Sequence, residues 1–288
     1  MTRLATWAFA RGGALALAML ACYVAIAPSY VVDGDNAEFA ALAAVGGGAH
    51  PPGYPSYVLW LRATSWLPAA SPAHAAAIAT ALLAAIQVLV LHAACCAWGA
   101  RAVAATVATA VFAAAPVALR YHSEAEAYAF NGLVVACVLW LSAAAGPLRG
   151  WRRAAALGLV AGLGLSDHLT CALAAPIGLV GVARGVREAG WRAAAVAVLG
   201  LGLGLAPYAY LFVAPDTVAG WARPRDLGEL FAIFTRREYE TAGGFSAIGA
   251  PVDIAGQLRL LAATLARSWL WALAPLGLAA IGYRAARP

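Results

Sequence analysis

The sequence predicts an all-α polytopic membrane protein with about eight transmembrane helices, because uncharged apolar stretches of near-bilayer length recur along it. Composition agrees. Of 288 residues, 64% are hydrophobic and 11% charged, and the mean hydropathy is +0.79. A soluble globular domain carries about 45–50% apolar and about 25% charged residues. Charge placement is the third observation. With the N-terminus set in the cytoplasm and the spans alternating, the cytoplasmic segments hold eleven arginines and one acid, Glu188. The other side holds the remaining eight arginines and twelve of the thirteen acids. The arginines follow the positive-inside bias. That bias does not require acids to segregate, so their accumulation outside points to a polar site built there from several loops.

The first apolar run, 12–32, follows Arg3 and Arg11. A cleaved signal peptide is the competing reading, since Ala25-Ile26-Ala27 resembles a cleavage site; continuation to Val32 favours a retained helix. Residues 33–55 are polar and rich in turn formers, with a short helix expected near 36–45. The stretch 57–67 is apolar but short, so it reads as interfacial or re-entrant. Further spans are expected at 74–98, 102–119, 127–145, 154–166, 169–183, 193–213 and 258–281. Residues 1–288 therefore form a single membrane-embedded domain, with a first outer loop at 33–56 and a later one at 215–257. No internal repeat is visible, nor an inverted pair of interrupted helices of the transporter kind.

All 19 basic residues are Arg. The net charge of +6 does not point to nucleic acid, because the arginines lie in short loops between apolar runs. The five cysteines lie in or beside apolar runs without metal-type spacing, and read as small core residues with no disulfide framework.

Several polar clusters could carry chemistry. In Asp33-Gly34-Asp35-Asn36-Ala37-Glu38, Asp35 and Glu38 are three apart and share a face if helical. A carboxylate at a membrane edge is costly to desolvate, which suits a general base acting on a hydroxyl. Equally, Asp35 could be an N-cap and Glu38 its capping-box partner. His50-Pro51-Pro52-Gly53-Tyr54-Pro55 is a rigid turn, with His50 as a helix-end hydrogen bonder or a phosphate contact. Arg120, His122, Glu124 and Glu126 crowd the end of the third span; an interfacial cap is the simpler reading. Asp167-His168 lies where two short spans meet, either a hairpin tip or a functional pair. Arg223, Arg225, Arg236 and Arg237 on the later loop could hold a lipid phosphate or form a solvated face. His74 and His92 are assigned to packing.

The order of these pieces is distinctive. It runs from the acidic motif through His50-Pro-Pro-Gly-Tyr-Pro55 and Ala125-Glu126-Ala127-Tyr128 with Asn131. It continues with Gly164-Leu-Ser-Asp-His-Leu-Thr170 and Arg236-Arg237-Glu238-Tyr239. Over about residues 10–240 it resembles the membrane proteins classed as domain of unknown function 2723. Those are relatives of an animal transmembrane protein O-mannosyltransferase of the glycosyltransferase-C superfamily. The twelve-residue step from Glu38 to His50 is part of the likeness. The family usually reads Asp-Ser-Gly-Glu where this chain has Asp35-Asn36-Ala37-Glu38, and often has Asn where this chain has Asp167.

The resemblance implies a glycosyltransferase-C-like first outer loop. It implies an enzyme that moves a hexose, mannose first, from a polyprenyl-phosphate donor to a hydroxyl, such as Ser or Thr of an exported protein, by inverting displacement. Asp35 and Glu38 would be catalytic. His50, Tyr54, Arg120, Glu126, His168, Arg236, Arg237 and Tyr239 would line the substrate and lipid-phosphate site. No metal ligand and no cofactor is expected, with a divalent ion left open. Expected partners are the lipid-linked sugar, membrane lipids and an exported polypeptide, with no nucleic acid. The expected location is the bacterial inner membrane, N-terminus cytoplasmic, active site on the outer face. A transporter or lipid flippase and a non-catalytic truncated relative are the alternatives.

Overall fold

The computed structural model describes residues 3–221, 223–237 and 253–267. Tyr239 and the end of the run expected at 258–281 lie outside them. Among the described residues the chain is helical and without strands, with one isolated antiparallel bridge between Gly48 and Trp221.

Most of the expected runs fold as helices: α1 (Arg3–Ile26), α4 (Pro72–Ala97), α7 (Tyr128–Ser142), α8 (Gly150–Leu165), α9 (Ala175–Ala189) and α10 (Arg192–Gly204). A 3-10 segment, Leu169–Ala174, leads into α9, and another, Ala206–Phe212, follows α10. The run at 102–119 is divided into α5 (Ala102–Ala113) and α6 (Pro116–Ser123), bent by 69°. Pro116 explains the break: it has no N–H for the preceding turn and pushes Ala115 into the extended conformation seen there. Between α1 and α4 lie α2 (Asn36–Val45) and α3 (Pro55–Ala63).

Among the described residues, three stretches are long and apolar enough to cross a bilayer: Pro72–Ala97, Leu169–Ala189 and Arg192–Phe212, with α5 and α6 a fourth if the bent pair is one span. The protein is thus a membrane protein. Helix length accounts for two of the expected eight that are absent from this count: α7 has 15 residues and α8 has 16, against about 20 needed for a straight crossing; in α1 the apolar part is Ala10–Ile26, and the last expected run lies partly outside the described residues.

Contacts sort the loops to two ends. At one end, Trp98 donates to the Leu139 carbonyl (2.8 Å) and Arg184 stacks on Trp98. There Arg153 is fully buried and donates to the Leu148 carbonyl and to Glu188, each at 3.0 Å. Glu188 also accepts the Gly150 N–H. The lone acid of this end therefore compensates a buried guanidinium, which would otherwise be a large desolvation cost. The opposite end gathers the loops after α1, α2, α6, α8 and α10.

The first-loop helices pack as a wedge. Phe39, Leu42, Tyr57, Val58 and Leu61 are buried together against Ala76 and Ala79 of α4. Phe39 meets Tyr54 and Tyr57 edge-on at 5.4 and 4.9 Å, a favoured aromatic geometry. The stretch beginning at Tyr57 is therefore a packed helix, α3, that ends at Ala63.

Helices α8 and α10 approach through glycine. A Cβ on Gly158 would lie 2.0 Å from the Ala197 carbonyl oxygen, and one on Gly162 would lie 2.3 Å from that of Leu201. Backbone cannot yield as a flexible side chain can. Gly162→Leu is expected to destabilise the protein by at least about 1–3 kcal/mol, measured as a lower unfolding temperature in detergent.

Candidate functional site

The site is built on Glu38. Its carboxylate accepts the backbone N–H of His50 at 2.7 Å and meets the ring Nδ1 at 2.5 Å. An ionised carboxylate can only accept, so this contact sets the proton on Nδ1. The other ring nitrogen, Nε2, then faces Asp35 at 3.7 Å. Asp35 precedes α2 with helical backbone angles and makes no side-chain cap bond. The capping-box alternative is thus not what the residues do: Glu38 reaches across the loop to His50 rather than back to its own helix. Asp35 is left exposed beside the imidazole.

The turn that carries His50 is held from several directions. The Tyr208 hydroxyl donates to the carbonyls of Pro52 (3.1 Å) and Leu165 (3.2 Å). Ser56 N–H donates to the Ser166 carbonyl at 3.0 Å, and the two serine hydroxyls meet at 2.6 Å. These bonds clamp the proline turn to the end of α8, where Asp167 and His168 emerge. Tyr54 has φ 44°, a strained conformation for a bulky residue. Its ring lies 4.8 Å from His50 and 5.7 Å from His168.

The three glycines after α2 allow a second loop to close down. Trp221 N–H donates to the Gly48 carbonyl at 2.9 Å, Thr217 Oγ1 to that of Gly46 at 3.1 Å, and the Tyr210 hydroxyl to that of Gly47 at 3.2 Å. A Cβ at Gly47 would sit 3.2 Å from the Gly220 Cα, and its φ is +124°. Only glycine suits that position.

His168 is held by Thr170, whose hydroxyl lies 2.7 Å from its Nδ1. Burial lowers the His168 pKa first, and the nearby charge of Arg236 lowers it further. Asp167 beside it is fully buried, and neither carboxyl oxygen has a hydrogen-bond partner among the described residues. Burial raises its pKa well above the usual carboxylate range. Glu126, between α6 and α7, is also buried. Desolvation, then the charges of Asp35 and Glu124, raise its pKa to about 7.

Asp35, Glu38, His50, Tyr54, Glu126 and His168 therefore converge from three separate stretches of chain, with Arg236 close enough to influence His168. Arg120 is engaged elsewhere, paired with Asp33 at 2.8 Å and Glu124 at 3.3 Å. Arg237 is exposed and lies over the Phe231 ring, 5.8 Å from its centroid. The ligand atoms of Asp35, Glu38 and His50 lie within 4.8 Å of one another and could hold a divalent cation.

From Asp35 to Ala189, the end of α9, the sequence matches the family described as the Protein O-mannosyl-transferase TMEM260 N-terminal domain; the match covers residues 35–189. The chain belongs to that family. No curated protein and no solved structure matches it. The family region contains Asp35, Glu38, the proline turn, Glu126 and His168, and ends before the loop carrying Arg236. Tyr208 and Trp221 complete the site from outside that region; neither stands in a recognisable motif.

Glu126 gives a pH signature. Its folded pKa exceeds the ordinary value of 4.5, so the folded protein retains a proton that the unfolded chain releases. Stability from this group should therefore fall as pH rises from about 4.5 to about 7. Infrared difference spectroscopy is expected to show a protonated-carboxyl band lost with a midpoint near pH 7, and Glu126→Gln should remove both the band and that part of the stability slope.

Proposed function

We propose that the protein is a membrane glycosyltransferase that moves a hexose, mannose first, from a polyprenyl-phosphate donor to a hydroxyl acceptor such as Ser or Thr of an exported protein. The observation that carries this reading is the exposed, uncapped Asp35 carboxylate beside a His50 ring fixed by Glu38. Family membership supports the reaction class.

In this mechanism Asp35 takes the proton of the acceptor hydroxyl. That oxygen attacks the anomeric carbon on the face opposite the phosphate, so the configuration inverts. The carbon–oxygen bond to phosphate breaks, and its electron pair leaves with the polyprenyl phosphate. Glu38 positions His50, whose ring borders the acceptor site with Nε2 3.7 Å from Asp35. Arg236 meets the charge developing on the leaving phosphate, the place where electrostatic stabilisation matters most. Glu126 and His168 shape the floor, and Tyr54 spaces the two imidazoles.

The proposed topology has eight spans, a cytoplasmic N-terminus and the site at the outer face. It is supported by the arginine-rich end around Arg149, Arg153 and Arg184, which matches the positive-inside bias. A donor anchored in the outer leaflet then presents its phosphate at the level of the loops.

The test is transfer by the purified full chain from polyprenyl-phosphate mannose to a Ser/Thr peptide. Asp35→Asn should lower kcat by about 10²–10⁴-fold, the range expected for loss of a general base, while the unfolding temperature stays within a few degrees of wild type. Full turnover in Asp35→Asn would remove that carboxylate from the chemistry.

A further inference from the structure

The arginine-rich end of the bundle carries an open pocket of about 610 Å³ between the start of α8 and the end of α9. The chain from Pro147 to Arg152 and the side chain of Glu188 line it. Three exposed tryptophans mark this end: Trp98 just after α4, Trp151 in the pocket wall and Trp191 after α9. Indole rings gather at the headgroup level of a bilayer, where the apolar ring and the polar N–H each find a suitable medium. The pocket therefore opens at the membrane–water boundary of this face.

Its charge is one-sided. Glu188 lines the pocket, but its two oxygens take the Gly150 N–H and the Arg153 guanidinium. Arg149 and Arg152 are exposed, and among the described residues neither is ion-paired with a carboxylate. Both are nevertheless held in place. Arg149 donates to the Ala144 carbonyl, and the Arg152 guanidinium lies 5.5 Å from the centre of the Trp151 ring. A carbonyl engages one of the five N–H donors of a guanidinium, and stacking engages its face rather than its edge. Two oriented cations with donors to spare suit phosphate oxygens, which a guanidinium meets with paired N–H bonds.

We propose that this pocket binds the headgroup of an anionic phospholipid of the surrounding bilayer. The site lies at the end opposite the Glu38–His50 pair and does not depend on the transferase reading. Location selects a lipid over a soluble phosphate. Pro147, Leu148 and Trp151 give the wall an apolar share beside the cations, and the mouth lies at headgroup depth, so a bound phosphate keeps its acyl chains in the hydrocarbon layer. A zwitterionic headgroup brings its own cation, which the two arginines repel. Buried Arg153 stays paired with Glu188 beneath the pocket, so the lipid enters without breaking the internal ion pair.

The experiment titrates the full chain, stripped of lipid in detergent, with phosphatidylglycerol or phosphatidylcholine and reads bound lipid by native mass spectrometry. Wild type should bind phosphatidylglycerol more tightly by at least about tenfold, the factor expected from two arginines at an anionic headgroup. Arg149→Gln together with Arg152→Gln should erase that preference. Arg187→Gln together with Arg192→Gln removes the same charge from exposed positions of this end outside the pocket and should leave the preference largely intact. No preference in wild type, equal loss in both double variants, or displacement of the lipid by inorganic pyrophosphate would each overturn the assignment. The second result marks a diffuse surface field, and the third a soluble-anion site. If the pocket variant unfolds, hydrogen–deuterium exchange of wild type in nanodiscs decides. Residues 147–152 should gain protection when phosphatidylglycerol replaces phosphatidylcholine, and unchanged exchange there rejects the site.

Discussion

Glu38 and His50 form the contact on which the first loop depends. The carboxylate takes two N–H groups from one residue, the backbone and the ring, and so fixes both the position and the tautomer of the imidazole. The intervening residues must then fold back over Phe39. That return places the proline turn against the end of α8, where Tyr208 and Ser166 secure it. Charge-assisted bonds of this kind are about twice as strong as neutral ones. At a membrane edge, with less water to compete, they are a suitable anchor for the irregular stretch between α2 and α3.

The two ends of the bundle handle charge differently. At one, Glu188 is consumed in neutralising buried Arg153, and Arg152 and Arg184 stack on tryptophan. At the other, carboxylates outnumber the cations that could neutralise them. Glu126 and Asp167 are accommodated by shifted protonation rather than by ion pairs. Arg120 is tied down by Asp33 and Glu124, and the charge of Arg236 reaches His168. Such a distribution of unequal carboxylates is what acid–base chemistry requires.

Much of this was legible in the sequence, for identifiable reasons. Apolar runs and their arginine flanks locate α1, α4, α7, α8, α9 and α10, with ends several residues off in α1, α9 and α10, because burial in lipid leaves a strong compositional mark. The bend at Pro116 was missed because the alanine-rich composition continues across it. Spacing placed Asp35 and Glu38 together but could not decide between a capping box and a reach to His50, since both satisfy the same three-residue interval. Tyr208 and Trp221 were invisible: one lies in an apolar run and the other beside a glycine, and their roles arise only when distant loops meet.

Asp167 carries a consequence for sequence variation. Burial raises the pKa of its carboxyl group, and in the protonated form that group differs from an amide mainly by presenting one O–H in place of two N–H hydrogens. The asparagine that the family resemblance leads one to expect at this position and the acid found here are then near-equivalent in charge and shape. Exchange between them demands no compensating cation elsewhere, and the position can drift between the two residue types while the neighbouring imidazole keeps its setting.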